Sequence, residues 1–210
     1  MLNGILFGLK KFFSEIGSGD MVILFSSLIL SVTAISGVGF LSDRFQRSIE
    51  KQASIVLGAE MVFRSGAPIE DRYVQAAETK EIKTAETISF LTMALTDEGN
   101  ILASIKAVSS AYPLVGNLQV IPQGQSSINL DFKQPPASTV WVEEKILEAL
   151  NTKPGKLITL GNKSFKITGT LVDYPDRSTG FLSFSPTIIV NEADLDEMGV
   201  IQAGSRVVYR

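Results

Sequence analysis

The chain opens on two hydrophobic rhythms. Leu2, Ile5, Leu6, Leu9, Phe13 and Ile16 recur at helical spacing, with Lys10, Lys11 and Glu15 opposite. That stripe predicts an amphipathic helix over residues 1–19, lying in a membrane interface and ended by the Gly17–Asp20 turn. From Met21 to Leu41 the stripe gives way to MVILFSSLILSVTAISGVGFL, which carries no charge. As a helix this stretch reaches roughly 32 Å, about the hydrocarbon thickness of a bilayer. Twelve of its residues are Val, Ile, Leu or Phe. Its Ser and Thr hydroxyls can bond back to the carbonyl one turn earlier. A cleaved signal has a shorter apolar core, about 7–15 residues, and a small-x-small site. A buried core helix would be shorter or more broken by polar residues. The stretch is therefore expected to span a membrane.

Ser27, Ser31 and Ala34 fall on one side of that helix, and Thr33 and Gly37 are one turn apart. Small residues let helices approach closely in lipid, so these five form an expected packing seam for other spans. Beyond the membrane, Leu41, Phe45 and Ile49 continue the helical spacing, with no Gly or Pro until Gly58. A helix running on past the bilayer makes a stiff stalk, so residues 20–53 are read as span plus stalk. Lys10 and Lys11 before the span face Arg44, Arg47 and Lys51 after it. The positive-inside rule thus leaves the orientation open and leans slightly against a cytoplasmic N-terminus.

From Ser54 the pattern changes to short apolar runs punctuated by turn residues. SIVLGAEMVFRS predicts a strand with Gly58 as a bulge, and APIEDRYVQAAETKE a helix begun by Pro68. KTAETISFLTMALT, the turn Asp97–Asn100 and ILASIKAVSSAYP predict a hairpin. The order β-α-β-β is half of a split β-α-β arrangement. Pro122, Pro135 and Pro136 mark a loose stretch over 113–138. STVWVEEKILEALNT then reads as strand and short helix, and LITLGNKSFKITGTLVDYP as a hairpin about Gly161-Asn162. FSPTIIVNEADLDEMG reads as a strand entering a helix capped near Asn191, and AGSRVVYR begins a last strand. The expected fold class is α+β: a lobe over 54–112 completed by about 200–210, and an inserted β-rich lobe over 113–199.

Composition removes several chemistries. The 210 residues carry a net charge of −3, with no Cys and no His. The acidic balance and scattered Lys and Arg argue against nucleic acid as a partner. Disulfides, zinc sites built on Cys or His, and His-dependent nucleophilic triads are excluded. Ser48-Ile49-Glu50-Lys51 and Lys83-Thr84-Ala85 faintly echo penicillin-binding hydrolases. The Ser-Asp-Asn element is missing, and Ala85 stands where that family has Gly, so a solvated stalk face accounts for Ser48 and Lys51. Gly37-x-Gly39 lies inside the apolar span and cannot be a dinucleotide loop. No P-loop is present, so no ATPase or other cofactor is expected in this chain. Asp194, Asp196 and Glu197 fit the acidic first turn of a helix better than a metal site. Trp141, in an alternating strand, is expected in a core.

Several stretches carry a more specific signal: GFLSDRF at the membrane exit, LGAEMVFRS, IKAVSSAYPLVGNL, VWVEEKILEALNTKPGKLITLGNKSFKITGTL and PDRSTGFLSFSPTIIVNEADL. With the order interfacial helix, span, stalk and two lobes, they resemble the N-terminal part of MacB-like (FtsX-like) ABC transporter permeases. The likeness is to the branch of permeases associated with lysophospholipase or arylesterase genes. The Lys153–Lys156 turn departs from the Gly-Asp frequent there, at a position that requires only a turn.

The resemblance implies an integral permease subunit of the bacterial inner membrane, not itself an enzyme, with residues from about 43 onward extracytoplasmic. It implies a porter-like first lobe, further transmembrane helices, surrounding membrane lipid and a separate cytoplasmic ABC ATPase. It also implies mechanotransmission, in which ATP hydrolysis moves the stalks and the outer domain acts on an exported substrate such as a lipid or lipoprotein. Two rivals stand beside it: a single-pass anchored binding or sensor module, and an anchored Ser/Lys hydrolase at Ser48.

Overall fold

The computed structural model describes residues 19–177, 185–202 and 205–210, with side chains at all of these except 20, 21 and 50–56. The amphipathic helix expected over 1–19 lies, but for its last residue, outside the described residues. Contacts divide the chain into two units, Met1–Lys51 and Gln52–Arg210.

Helix α1 (Gly19–Leu57) runs for 39 residues, roughly 58 Å at the helical rise. Within it Val22–Ile49 is long and apolar enough to cross a membrane. Nothing after Gly39 interrupts the helix until Gly58, whose φ of 70° ends it. A glycine in the left-handed region is a common helix terminator, because a Cβ would be strained there. The strand expected from Ser54 is consequently not formed. Ser54–Leu57 make the last turn of α1, and only Ser65, bridged to Tyr209, pairs from this stretch. The β-branched pair Ile55-Val56 suggested a strand, but this preference is weak beside an unbroken preceding helix. Helix α2 (Asp71–Thr79) starts three residues beyond Pro68, with Glu70 at its N-cap and none of its residues buried.

The strands are β1 (Thr87–Thr96), β2 (Gly99–Val108), β3 (Gln119–Pro122), β4 (Thr139–Glu143), β5 (Leu157–Leu160), β6 (Lys163–Asp173), β7 (Thr187–Asn191) and β8 (Val208–Tyr209). Helix α3 (Glu144–Ala149) follows β4, and a short helix α4 (Leu195–Met198) follows β7. The β1–β2 hairpin turns at Asp97-Glu98, and the β5–β6 hairpin at Gly161-Asn162, as the turn residues indicated.

Pairing runs β2–β7–β4–β6–β5–β1, and β1 pairs back to β2. The sheet thus closes on itself as a barrel of mixed strands. Two long strands make closure possible by sharing an edge. β1 pairs β8 at Ile88–Ser89 and β5 at Ala94–Leu95, while β6 pairs β5 and then β3. Closure leaves fewer open edges for stray pairing. The boundary expected at 113 does not separate two sheets, because β2 pairs β7 in parallel and β1 pairs β5 across it. Sequence order hid this, since parallel and long-range pairings leave no local turn signal.

Alternation along each strand fills the barrel. Ile88, Phe90 and Ala94 of β1, Ala103, Ile105 and Ala107 of β2, and Phe165 and Ile167 of β6 all belong to the inner core. Outward residues of β4 and β7, Trp141 and Ile189, form a second core under β3 and the loop over 109–118, with Tyr112, Leu118, Val120 and Tyr174. Trp141 lies there against Phe132, ring centroids 5.4 Å apart. The barrel wall is therefore buried on both sides along part of its surface.

Candidate functional site

The residues singled out for mechanics all lie on α1. Ser27, Ser31, Thr33, Ala34 and Gly37 are exposed, as are Leu41, Phe45 and Ile49. The Ser27 hydroxyl donates to the Leu24 carbonyl at 2.9 Å and Ser31 to the Ser27 carbonyl at 2.8 Å. Their polarity is thereby satisfied within the helix, which lowers the cost of placing them in an apolar medium. Space around Gly37 is open: an added Cβ would meet nothing within 4 Å. Beyond the apolar run, Asp43 and Arg47 pair at 3.0 Å and Arg44 lies over Phe40, 5.3 Å from its centroid. Charges thus begin two residues after the apolar stretch. Ser48 is exposed on the same helix.

A polar cluster that no sequence motif pointed to lies in the second unit. β2 alternates inward at Ala103, Ile105 and Ala107, so Lys106 points to the outer face. The 109–118 loop and the turn after β6 cover that face, leaving Lys106 only 2% exposed. A buried ammonium requires a counter-charge, and Asp176 supplies it. Lys106 Nζ donates to Asp176 Oδ1 at 2.6 Å and to the Asp176 carbonyl at 3.2 Å. Tyr112 donates its hydroxyl to the same Oδ1 at 2.5 Å, and Arg210 donates to Oδ2 at 2.9 Å. The rings of Tyr112 and Tyr174 flank the ammonium at 5.3 and 5.1 Å. One carboxylate therefore gathers β2, the loop after it and the residue following β8.

Electrostatics set the protonation of this cluster. Burial pushes the Lys106 ammonium down to about 8, against the pull of Asp176 toward the charged form. Burial, reinforced by Asp176, holds the Tyr112 phenol protonated far above its ordinary range. Tyr174, raised mainly by burial, shares a 2.8 Å hydrogen bond with Thr187. Asp176 sits at φ 52°, in the left-handed region that costs most residues roughly 1 kcal/mol. Such backbone persists where surrounding contacts over-determine it, and here both the carboxylate and the carbonyl of Asp176 are occupied. Gly58 lies against it: an added Cβ would stand 3.2 Å from Asp176 Cβ. A lone Lys within SIKAV was the available signal, but nothing local tied it to residues 70 and 104 positions away.

The acidic residues after β7 have a structural task. Asn191 accepts from the Ala193 amide and caps the turn, as its side chain suggested. Asp194 is buried, accepts from the Ser138 amide at 2.9 Å and pairs with Lys163 at 2.6 Å. Glu197 takes the other side of Lys163 at 2.6 Å. These two carboxylates raise the Lys163 ammonium above its ordinary value, the Asp194 hydrogen bond first. Among the described residues no group of three or more acidic side chains is placed to hold a metal. Lys83 and Thr84 are exposed in the stretch before β1.

The profile of the family described as MacB-like periplasmic core domain matches residues 21–208. An uncharacterized ABC transporter permease of Escherichia coli (strain K12), YbbP, is 28% identical over 201 residues. That alignment takes in 96% of this chain but 24% of the relative, so the chain spans about a quarter of that permease. The extracellular domain of the ABC-type transporter YknZ from Gram-positive bacteria aligns over 69% of this chain and 73% of its own, at 14% identity and a TM-score of 0.45. The periplasmic region of MacB from Actinobacillus actinomycetemcomitans aligns over 69% and 70%, at 15% identity and a TM-score of 0.38.

Proposed function

Because the chain belongs to the family of MacB-like periplasmic core domains, we propose that it forms a membrane span and an extracytoplasmic domain of an ABC transporter permease subunit. The observation that carries this reading is the continuity of α1. Its uncharged run, which ends at Leu41, leads without a break in the helix to Leu57 at the start of the barrel-bearing segment. A rigid helix that leaves the bilayer and enters a domain can pass displacement along its axis, whereas a flexible linker would dissipate it.

The proposed working cycle is mechanical. A separate cytoplasmic ATPase binds and hydrolyses ATP, its closure shifts the permease helices, and the outer domain moves against an exported substrate such as a lipid or lipoprotein. The N-terminus is cytoplasmic, and residues from about 43 onward lie outside the bacterial inner membrane. The Ser27, Ser31, Ala34, Thr33 and Gly37 seam packs against other spans of the permease, and Leu41, Phe45 and Ile49 belong to the moving stalk. This chain contributes no catalytic group and no cofactor site to the cycle.

Ser31→Leu tests the seam. It fills the small face with about three extra carbon atoms and removes a self-satisfied hydroxyl. In the full permease co-expressed with its ATPase, it is expected to reduce co-purification of the ATPase and permease-stimulated ATP hydrolysis several-fold, while the outer domain stays folded. Undiminished assembly and hydrolysis would remove the seam. A permease that never engages an ATPase would favour the single-pass anchored module instead.

A further inference from the structure

We propose that the Asp176 cluster is a clamp that holds the incoming segment Gly58–Ser65 and the outgoing strand β8 on the barrel as one mechanical piece. Its mechanical meaning rests on the permease reading, but its existence does not.

Five sets of contacts tie these pieces together. Gly58 packs on Asp176 so closely that a Cβ would crowd it. The Gly58 carbonyl accepts from the Val115 amide at 3.0 Å, and Tyr112 of the same loop reaches the Asp176 carboxylate. Arg210, just past β8, grips the other carboxylate oxygen, and its backbone exchanges two hydrogen bonds with Thr87 of β1, at 2.9 and 3.0 Å. Ser65 and Tyr209 exchange two more, both 2.9 Å, joining the incoming segment directly to β8. Lys106 anchors the whole to β2, a strand of the closed ring.

Apart from the buried Ala59, the incoming segment has little else to hold it: Met61 and Phe63 are well exposed, and α2, next in the chain, contributes no buried residue. β8 is two residues long; it also pairs with β1 at Ile88–Ser89 and places Tyr209 in the inner core. The tie between the segment and β8 therefore falls on the backbone pair at Ser65, and the tie of both to β2 and the 109–118 loop falls on the ionic cluster. Charged hydrogen bonds to one carboxylate are the strong members of that set. Other charges nearby face elsewhere: Arg177 lies over the Tyr174 ring and reaches toward Glu143 and Asp173 at 3.5 and 3.4 Å. No other carboxylate is hydrogen-bonded to Lys106 or Arg210 among the described residues, so Asp176 alone connects them.

Hydrogen exchange on the membrane-reconstituted full chain tests the clamp without any need for an ATPase. In Asp176→Asn, amides of residues 59–66 and 207–210 are expected to exchange at least tenfold faster, with β4, β6 and β7 unchanged. The single variant strands a buried ammonium and could unfold the barrel. The double variant Lys106→Met with Asp176→Asn removes both charges and leaves the barrel its packing. It is expected to keep β4, β6 and β7 protected while the two flanking segments still exchange at least tenfold faster. Equal acceleration of barrel and flanks in the double variant, or flanks as protected as in the native chain, would overturn the clamp. Failure of ATPase coupling in the native permease would instead count against the proposed function and leave these exchange patterns untouched.

Discussion

The apolar helix and the barrel are built from the same aliphatic residues and place them oppositely. Along α1, Ile23, Ile29, Leu30, Val32, Ile35 and Val38 all stand exposed, on every side of the helix. Along β1, β2 and β6 the inward positions of an alternating pattern are filled by such residues and are buried, while β7, covered on both faces, carries them consecutively at Ile188, Ile189 and Val190. An element apolar all round has no solvent side and belongs in lipid or in a larger core. An element apolar on alternate positions makes its own interior and leaves the other side for water or a covering loop. The hydrophobic effect is common to both; periodicity decides which medium each unit requires.

Substitutions of matched kind break the comparison most sharply. Phe165→Ala empties a fully buried site in the barrel core and is expected to cost about 3–5 kcal/mol in stability, read from denaturant unfolding. Ile35→Asp alters an exposed side chain of α1 and should leave barrel unfolding unchanged. It instead opposes insertion by about 2.5–3.5 kcal/mol for a charge mid-span, read from the membrane-integrated fraction. Barrel destabilisation by Ile35→Asp would mean that α1 is a core helix.

Glycines offer a gentler contrast. Gly161 has φ 60°, and a Cβ there would lie 2.2 Å from the Met198 carbonyl oxygen. Gly161→Ala is therefore expected to destabilise the domain by about 1–3 kcal/mol, through both strain and contact. Gly39 has open space around it within α1. Gly39→Ala should leave the barrel untouched and favour the helix by up to about 1 kcal/mol, seen as slower amide exchange around residue 39.

A contrast of another kind is one of pH, and it belongs to the barrel unit alone. Lys106 loses its proton near pH 8 when folded, against an ordinary 10.5. Between those values the unfolded chain binds a proton that the folded one does not. The contribution of Lys106 to stability therefore rises with pH through that window and is flat below it. Above about 10 the Tyr112 phenol acts in reverse, since it stays protonated only in the fold. The lone Trp, Trp141, is buried and reports unfolding by fluorescence. Lys106→Met should abolish the rise between about pH 8 and 10.

Legibility in the sequence followed locality. The span was plain in an unbroken uncharged run, and both hairpins in turn residues flanked by alternating strands. Asn191 announced its cap, and Gly58 marked a boundary, although it closes a helix rather than bulging a strand. Barrel closure was hidden, because β2–β7 and β1–β5 join residues that no short window contains. The Asp176 cluster was hidden for the same reason. Lys106, Tyr112, Asp176 and Arg210 are each ordinary alone, and only the fold brings them onto one carboxylate. The seam on α1 is readable as spacing, but its meaning depends on neighbours outside this chain's own contacts.

The central claim is that α1 crosses the bilayer and carries the barrel outside the cell's cytoplasm. The chain has no cysteine, so a single Cys placed at Asp97, exposed in the β1–β2 turn, reports its side of the membrane. In spheroplasts expressing the permease, cleared of any other cysteines, Asp97→Cys is expected to react with a membrane-impermeant maleimide before lysis. Labelling of Asp97→Cys only after the membrane is opened would contradict the account.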